Sequence, residues 1–368
     1  MSWMVSNDML IGTKATMEDN QPLVSVLMSL YNVERFLTKK RLLDVREQSY
    51  RNIEIILVDD GATDNTAAII EELGTEDERI RTIHKKNGGL GSARNAGLDA
   101  ANGEYVYFCD VDDDIHHDLI KNCVTLMKKH QADLLVFGFN EIYKSGKYPS
   151  STHSYTYHVI ESNEELKKEF VDTLLLSHGV GFAWNKFYRR GFIENRHFRF
   201  GNQYIQQDEV FNMQLYPWVD RMVISSDVLY DYYIYDTGNN RSRYIPDRFE
   251  IHHSIYCRLS EITKQWGITD ERCSKYIVKK FYNGINDAIL FNGFHKDNPR
   301  SFKEREKEFQ HILDDDDVKY CLTQIESFSP MGLESKVYLK AYKSRNYKLL
   351  AIERAFFQFL RFIKHNYR

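Results

Sequence analysis

Residues 105–115 read YVYFCDVDDDI: an apolar run that ends in four carboxylates, Asp110, Asp112, Asp113 and Asp114, within five positions. Like charges this close repel, so a positive partner is expected among them. A calcium loop would use the i, i+2, i+4 spacing of Asp110, Asp112 and Asp114, but it needs Gly at its sixth place and Glu at its twelfth, where Ile115 and Lys121 stand. An aspartyl-phosphate phosphatase also puts two alternating aspartates after a strand, yet Asp114 would repel the attacking carboxylate. A third chemistry is a Mg²⁺ or Mn²⁺ ion, a hard cation held by one or two carboxylates and completed by substrate phosphates. Asp110 and Asp112 point to one side of an extended segment, so one could hold the metal and the other a ribose hydroxyl. The run Asp314–Asp317 follows no buried strand and reads as a solvated linker or helix cap.

These carboxylates need a scaffold. LVSVLMSL (23–30), IEIILV (53–58), Ile80–His84 and Tyr105–Cys109 read as buried strands. Helical spacing occupies 33–48, 64–73 (capped by Asp64) and 91–101 (capped by Ser92) between them. This βαβ rhythm predicts an α/β fold, a mostly parallel central sheet flanked by helices. Such sheets bind ligands beyond the carboxyl ends of their strands, where Ser29-Leu30-Tyr31-Asn32, Asp59-Asp60-Gly61 and Asp110–Asp114 all fall. Further on, helices are expected over 119–130, 164–177 and 207–217, a strand over 133–140, a strand pair over 222–235 and a mobile loop over 141–158. The chain beyond 246 reads as helical. The domain reading is a lead-in (1–21), a catalytic domain (22–245, split at 115/116) and a C-terminal helical region (246–368).

Composition narrows the classes. The 368 residues are 42 % hydrophobic and 28 % charged with net charge -4, which is globular and gives no pull toward nucleic acid. Five scattered cysteines without a CxxC pair argue against a disulfide framework or zinc site and fit a reducing compartment. No secretion signal or membrane-spanning run is visible, so a cytoplasmic location is expected. LLAIERAFFQFLRFIKHNYR at the end mixes an aromatic face with Arg354, Arg361, Lys364 and Arg368. Residues 350–368 could therefore lie on the inner face of the plasma membrane, or pack on the chain's own domain or in a homodimer.

VSVLMSLYN, IEIILVDDGATDNT and NGGLGSARNAGLDAANGEYVYFCDVDDD together resemble the family 2 inverting glycosyltransferases of the GT-A fold, of the bacterial surface-polysaccharide type. The likeness is dense over 22–115 and sparse to 245. It implies a nucleotide-sugar donor, UDP-linked, with Mn²⁺ or Mg²⁺, and a carbohydrate, lipid-linked or glycoprotein acceptor in polysaccharide or glycoconjugate synthesis. On that resemblance Ser29, Tyr31 and Asn32 line the base pocket and Asp60 accepts from the base or ribose. Asn87 and Arg94 lie near the nucleotide, where an arginine suits a diphosphate. Asp110 and Asp112 form the DxD pair, with Asp112 the chief metal ligand and Asp113 beside it. Asp208, in Gln207-Asp208-Glu209-Val210-Phe211, matches the base; Gln207 replaces an acid of the family pattern. Trp184-Asn185-Lys186 matches an acceptor-side segment in which Trp184 could stack on a sugar. The dinucleotide fingerprint fails, because Arg94 stands at its third glycine. A sugar nucleotidyltransferase lacks its glycine-rich loop here, and a catalytically inactive nucleotide-sugar-binding relative is the other alternative.

Overall fold

A computed structural model describes residues 21–37, 39–146, 148–177, 181–235, 243–328 and 331–366. The lead-in and most of the 236–245 loop lie outside them. The first half alternates β1 (Val24–Leu30), α1 (Lys39–Arg46), β2 (Ile53–Asp59), α2 (Thr66–Glu76), β3 (Ile80–His84), α3 (Leu90–Ala100) and β4 (Tyr105–Phe108). These strands pair in parallel in the order β3-β2-β1-β4. The continuous apolar runs of β1 and β2 are buried along almost their whole length, as a sheet covered on both faces requires.

α1 is shorter than the expected 33–48. The Val33 N–H donates to Thr66 Oγ1 (2.9 Å) and that of Glu34 to Asp64 Oδ2 (3.2 Å), so this stretch turns against the next loop. Asp64 still receives the Thr66 N–H (3.0 Å), but Asn65 occupies the cap position of α2. Ser92 lies inside α3, which Gly89 precedes.

The second half adds β5 (Asp114–Ile115), α4 (Leu119–His130), β6 (Leu134–Tyr143), β7 (Ser151–His153), β8 (His158–Ile160), α5 (Asn163–Phe170), β9 (Lys186–Arg189), α6 (Arg190–Glu194), α7 (Gln207–Leu215) and β10 (Met222–Ile234). β9 is antiparallel to both β4 and β6, while β6 and β10 run parallel, so the sheet is parallel across its first half and mixed beyond it. The expected loop at 141–158 instead carries β7 folded back on β6. The expected strand pair at 222–235 is one long strand: Ser225–Asp227, which reads as a turn, forms a bulge between Ile224 and Val228.

The C-terminal region is α8 (Arg248–Gln265), α9 (Glu271–Asn286), α10 (Phe302–Asp314), α11 (Asp316–Phe328), α12 (Leu333–Lys343) and α13 (Tyr347–Asn366). One core runs without a break from Leu27, Ile56 and Phe108 on the sheet through Phe211 and Leu259 to Tyr342 and Leu350. A second core, with Leu57, Tyr107 and Phe137, fills the other face. Asp315 accepts the N–H groups of Asp317 (2.9 Å) and Val318 (3.1 Å), so the four-aspartate run caps α11. All five cysteines are free thiols.

Candidate functional site

β1 to β4 deliver their carboxyl ends to one rim. Beyond β1, Ser29 is half-buried and Tyr31 is 42 % exposed. Asn32 turns there with φ 52° and its Oδ1 accepts the Thr63 N–H at 2.7 Å, fastening the loop after β2. Beyond β2, Asp59 accepts the Ala62 N–H (2.7 Å) and contacts His84 Nδ1 (2.9 Å). Asp60 follows at the end of the same strand. It is buried, and its oxygens accept from Lys85 Nζ (2.6 Å), Gly88 N (3.0 Å) and Gly89 N (2.7 Å), so it anchors the loop between β3 and α3. That loop exposes Asn87, whose backbone N lies where a Cβ on Gly61 would fall (2.8 Å). Gly61, at φ +74°, lets the two loops touch.

The central feature is a buried cation between two carboxylates. Arg94 projects inward from α3, where Asn95 clamps the helix to Phe200 through both backbone groups (3.0 and 2.8 Å). Arg94 Nη2 donates to Asp110 Oδ1 at 3.0 Å, its Nη1 donates to Asp208 Oδ1, and its guanidinium lies 5.3 Å from the Phe200 ring. Asp208, on the first turn of α7, also accepts the Ala183 N–H at 3.0 Å. The structure thus joins Asp110 at the end of β4 to Asp208, residues far apart in the chain. Burial works against the charge on Arg94, but Asp208 and Asp110 outweigh it and hold its pKa above the ordinary value. Asp110 is pushed up to about 6, first by burial and then by the negative charges of Asp208 and Asp112, against the pull of Arg94.

The other aspartates sort by environment. Asp112 is half-buried beside Asp110. Asp113 is buried and accepts from Tyr230 Oη (2.7 Å) and the Tyr233 N–H (2.8 Å), which anchors β10. Burial raises its pKa well above the carboxylate range. Asp114 accepts from Tyr233 Oη (2.7 Å) within β5.

Trp184, Asn185 and Lys186 are all buried. Trp184 stacks on Tyr230 (4.4 Å, 11°) and Phe182 (4.5 Å, 23°), which cover its ring. Asn185 and Lys186 are turned inward: Lys186 Nζ donates to Asn185 Oδ1 (3.0 Å) and to the Phe182 carbonyl. Burial pushes the Lys186 amine down to about 7. The half-exposed members of this aromatic stack are Phe182 and Tyr232. Sequence reading passed over both, although Tyr230 and Tyr232 alternate on one face of a strand.

Comparison with known proteins bears on the family and the fold. The family model described as glycosyl transferase family 2 matches residues 25–196. The chain is 34 % identical to the Bacillus subtilis (strain 168) glycosyltransferase EpsJ over 216 residues, 57 % of this chain and 61 % of EpsJ, so it spans about three fifths of that relative's length. It is 32 % identical to EpsH of the same organism over 241 residues, 64 % of this chain and 67 % of EpsH. Residues 1–349 of S. aureus TarS, solved in complex with UDP-GlcNAc, superpose with TM-score 0.62 at 18 % identity over 91 % of each chain, a likeness of fold. On these matches, and with a mixed α/β sheet of GT-A type, the chain belongs to glycosyl transferase family 2.

Proposed function

We propose that this chain moves a sugar from a nucleotide-diphosphate donor, UDP-linked, to an acceptor hydroxyl with inversion at the anomeric carbon. The observation that carries this reading is the Asp110–Arg94–Asp208 bridge, which sets a carboxylate at the donor rim and a carboxylate on a helix start around one guanidinium. Three carboxylates, Asp110, Asp112 and Asp208, act on one another against a single buried arginine. That excess of negative charge and the all-oxygen donor set fit a divalent hard cation. Asp112, with Asp110, would hold Mn²⁺ or Mg²⁺, which when bound offsets charge on the leaving diphosphate.

The chain's own residues account for the rest. Ser29, Tyr31, Asn32 and Asn87 form the base-side wall on loops fixed by Asp60. Arg94 holds Asp208 in place; as the acceptor oxygen bonds the anomeric carbon and the bond to the diphosphate breaks, Asp208 takes the hydroxyl proton from the opposite face. Phe182 and Tyr232 supply an aromatic edge for a sugar, backed by Trp184. Residues 22–115 then serve the donor and 116–245 the acceptor, with 246–368 as a helical extension. The setting is bacterial surface polysaccharide or glycoconjugate synthesis at the cytoplasmic side of the membrane.

The test is hydrolysis and transfer of UDP-, GDP- and dTDP-sugars by the full chain with and without Mn²⁺. UDP-sugar turnover that needs the ion and disappears in Asp112→Ala, with the fold kept, is the expected result. Full activity after exhaustive chelation would sink the metal assignment. Pyrophosphate release from a sugar phosphate and UTP would replace transfer with nucleotidyl transfer.

A further inference from the structure

A second group of metal-ligating side chains lies in the C-terminal helices, where nothing in the transfer reaction uses it. His253 and Cys257 are one helical turn apart on α8 and therefore share a face. Opposite them is Asp317 on the first turn of α11. One ligand atom from each of the three, His253 nitrogen, Cys257 Sγ and an Asp317 oxygen, lies within 4.8 Å of the other two. His253 Nε2 is 2.8 Å from Asp317 Oδ2 and Cys257 Sγ is 3.9 Å from the same oxygen. Asp315 Oδ1 stands 3.9 Å from His253 Nε2, close enough to offer a fourth oxygen.

We propose that His253, Cys257 and Asp317 bind a divalent transition-metal ion of the zinc class, which staples α8 to α11.

Donor chemistry selects the ion. A thiolate with an imidazole suits Zn²⁺ and disfavours Mg²⁺ or Ca²⁺, so this site differs in kind from the all-oxygen Asp110–Asp112 pair. The spacing is close to what such an ion requires. With bonds of about 2.0–2.3 Å in a tetrahedron, ligand atoms sit roughly 3.3–3.7 Å apart. The observed separations bracket that range, and side-chain shifts below about 1 Å close the difference.

The imidazole is held ready for the ion. His253 stacks on Phe249 (5.5 Å, 17°) and on Phe281 (5.5 Å, 21°), which fixes the ring plane with Nε2 toward Asp317. Cys257 is exposed, so an ion can enter from solvent, and Asp315 or water can complete the coordination. A cap explains why Asp315 precedes α11; it leaves the convergence of a thiol, an imidazole and a carboxylate from two helices unexplained.

Among the described residues His158, Glu165 and Glu169 form another close group, but it has no sulfur. Cobalt therefore separates the two. The metal-free, reduced full chain is titrated with Co²⁺ and the product is challenged with Zn²⁺. One equivalent should give a thiolate-to-cobalt charge-transfer band and the ligand-field bands of a tetrahedral ion, both abolished by Zn²⁺. Cys257→Ser should remove the charge-transfer band, and His253→Gln and Asp317→Asn should each weaken binding at least about tenfold. Zn²⁺ should raise the thermal midpoint of the unmodified chain and leave that of Cys257→Ser unchanged. Because Cys257 is exposed, the serine variant should keep its circular dichroism and its Mn²⁺-supported donor hydrolysis. No band in a folded chain, a band that survives Cys257→Ser, or affinity indifferent to both His253→Gln and Asp317→Asn would overturn the proposal.

Discussion

At the residue scale, Arg94 holds together a site that electrostatics alone would push apart. A guanidinium reaches two carboxylates at once because its donors form a planar fork; an ammonium is a point charge and cannot keep both in register. Arg94→Lys is expected to keep the fold and lower transfer about 10²-fold, the scale of a misplacement near 1 Å. Arg94→Ala strands two half-buried carboxylates and should cost about 1–3 kcal/mol in urea unfolding. If the lysine variant turns over normally, the bridge is structural only. Asp208→Asn, which preserves shape, should lower kcat by about 10²–10⁴-fold with little change in donor binding, as loss of a general base does. Lys186 gives a pH signature. Burial depresses its folded pKa to about 7, below the ordinary lysine value. Between that pH and about 10 the unfolded chain holds more protons, so stability rises with pH, by up to about 1.4 kcal/mol per unit from this group. Urea unfolding at pH 7.0, 7.5 and 8.0, values at or above about 7 and below the ordinary thiol pKa, should show that slope. Lys186→Met should flatten it relative to the unmodified chain.

At the element scale, the site depends on how closely α3 approaches the segment that carries Phe200. A Cβ on Gly91 would stand 2.1 Å from the Gly201 carbonyl oxygen, and backbone cannot yield as a side chain would. Gly91→Ala should therefore cost about 1–3 kcal/mol and lower kcat more than donor affinity, because it tilts the helix that aims Arg94. Equal loss in the Gly191→Ala variant, whose Cβ meets nothing within 4 Å and whose backbone is not left-handed, would show that the effect is general and not a matter of contact. Such contacts explain what could be read from the chain beforehand. β1 to β4 were legible because strands buried on both faces are written as continuous apolar runs. The convergence of Ser29, Asp60 and Asp110 on one rim followed from that topology. β9 was not legible: Lys186–Arg189 is four residues long and is held by strands distant in sequence. The groups that anchor Asp60 and Asp113 were not legible either. Whether a carboxylate faces a ligand or a neighbouring loop depends on tertiary N–H and O–H donors that the local sequence does not reveal.

At the scale of the whole molecule, α13 is the part that the common core leaves uncovered. Its start is anchored by Tyr347 and Leu350 in the core, while Ile352, Phe356, Phe359 and Ile363 line one exposed stripe at helical spacing. No described helix is long and apolar enough to cross a membrane. An exposed apolar stripe beside basic residues is the pattern of a helix that lies in the membrane interface. Across Tyr347–Asn366 there are Lys348, Arg354, Arg361 and Lys364 against Glu353, a net charge of +3 with histidine neutral (four minus one). Arg361 pairs with Glu334 and Arg354 donates to the Leu290 carbonyl, so part of that charge is already engaged. At about 1 kcal/mol per basic residue near an anionic surface, binding to anionic vesicles should exceed binding to neutral ones by about 10–10²-fold and fall with salt. Phe356 and Phe359 are 55 % and 59 % exposed, so the Phe356→Glu/Phe359→Glu double variant removes the stripe without opening the core. Vesicle co-sedimentation should be lost in that variant while hydrolysis of a soluble donor persists. If the unmodified chain ignores vesicles but light scattering shows a dimer that the double variant dissolves, the stripe is an interface between two copies.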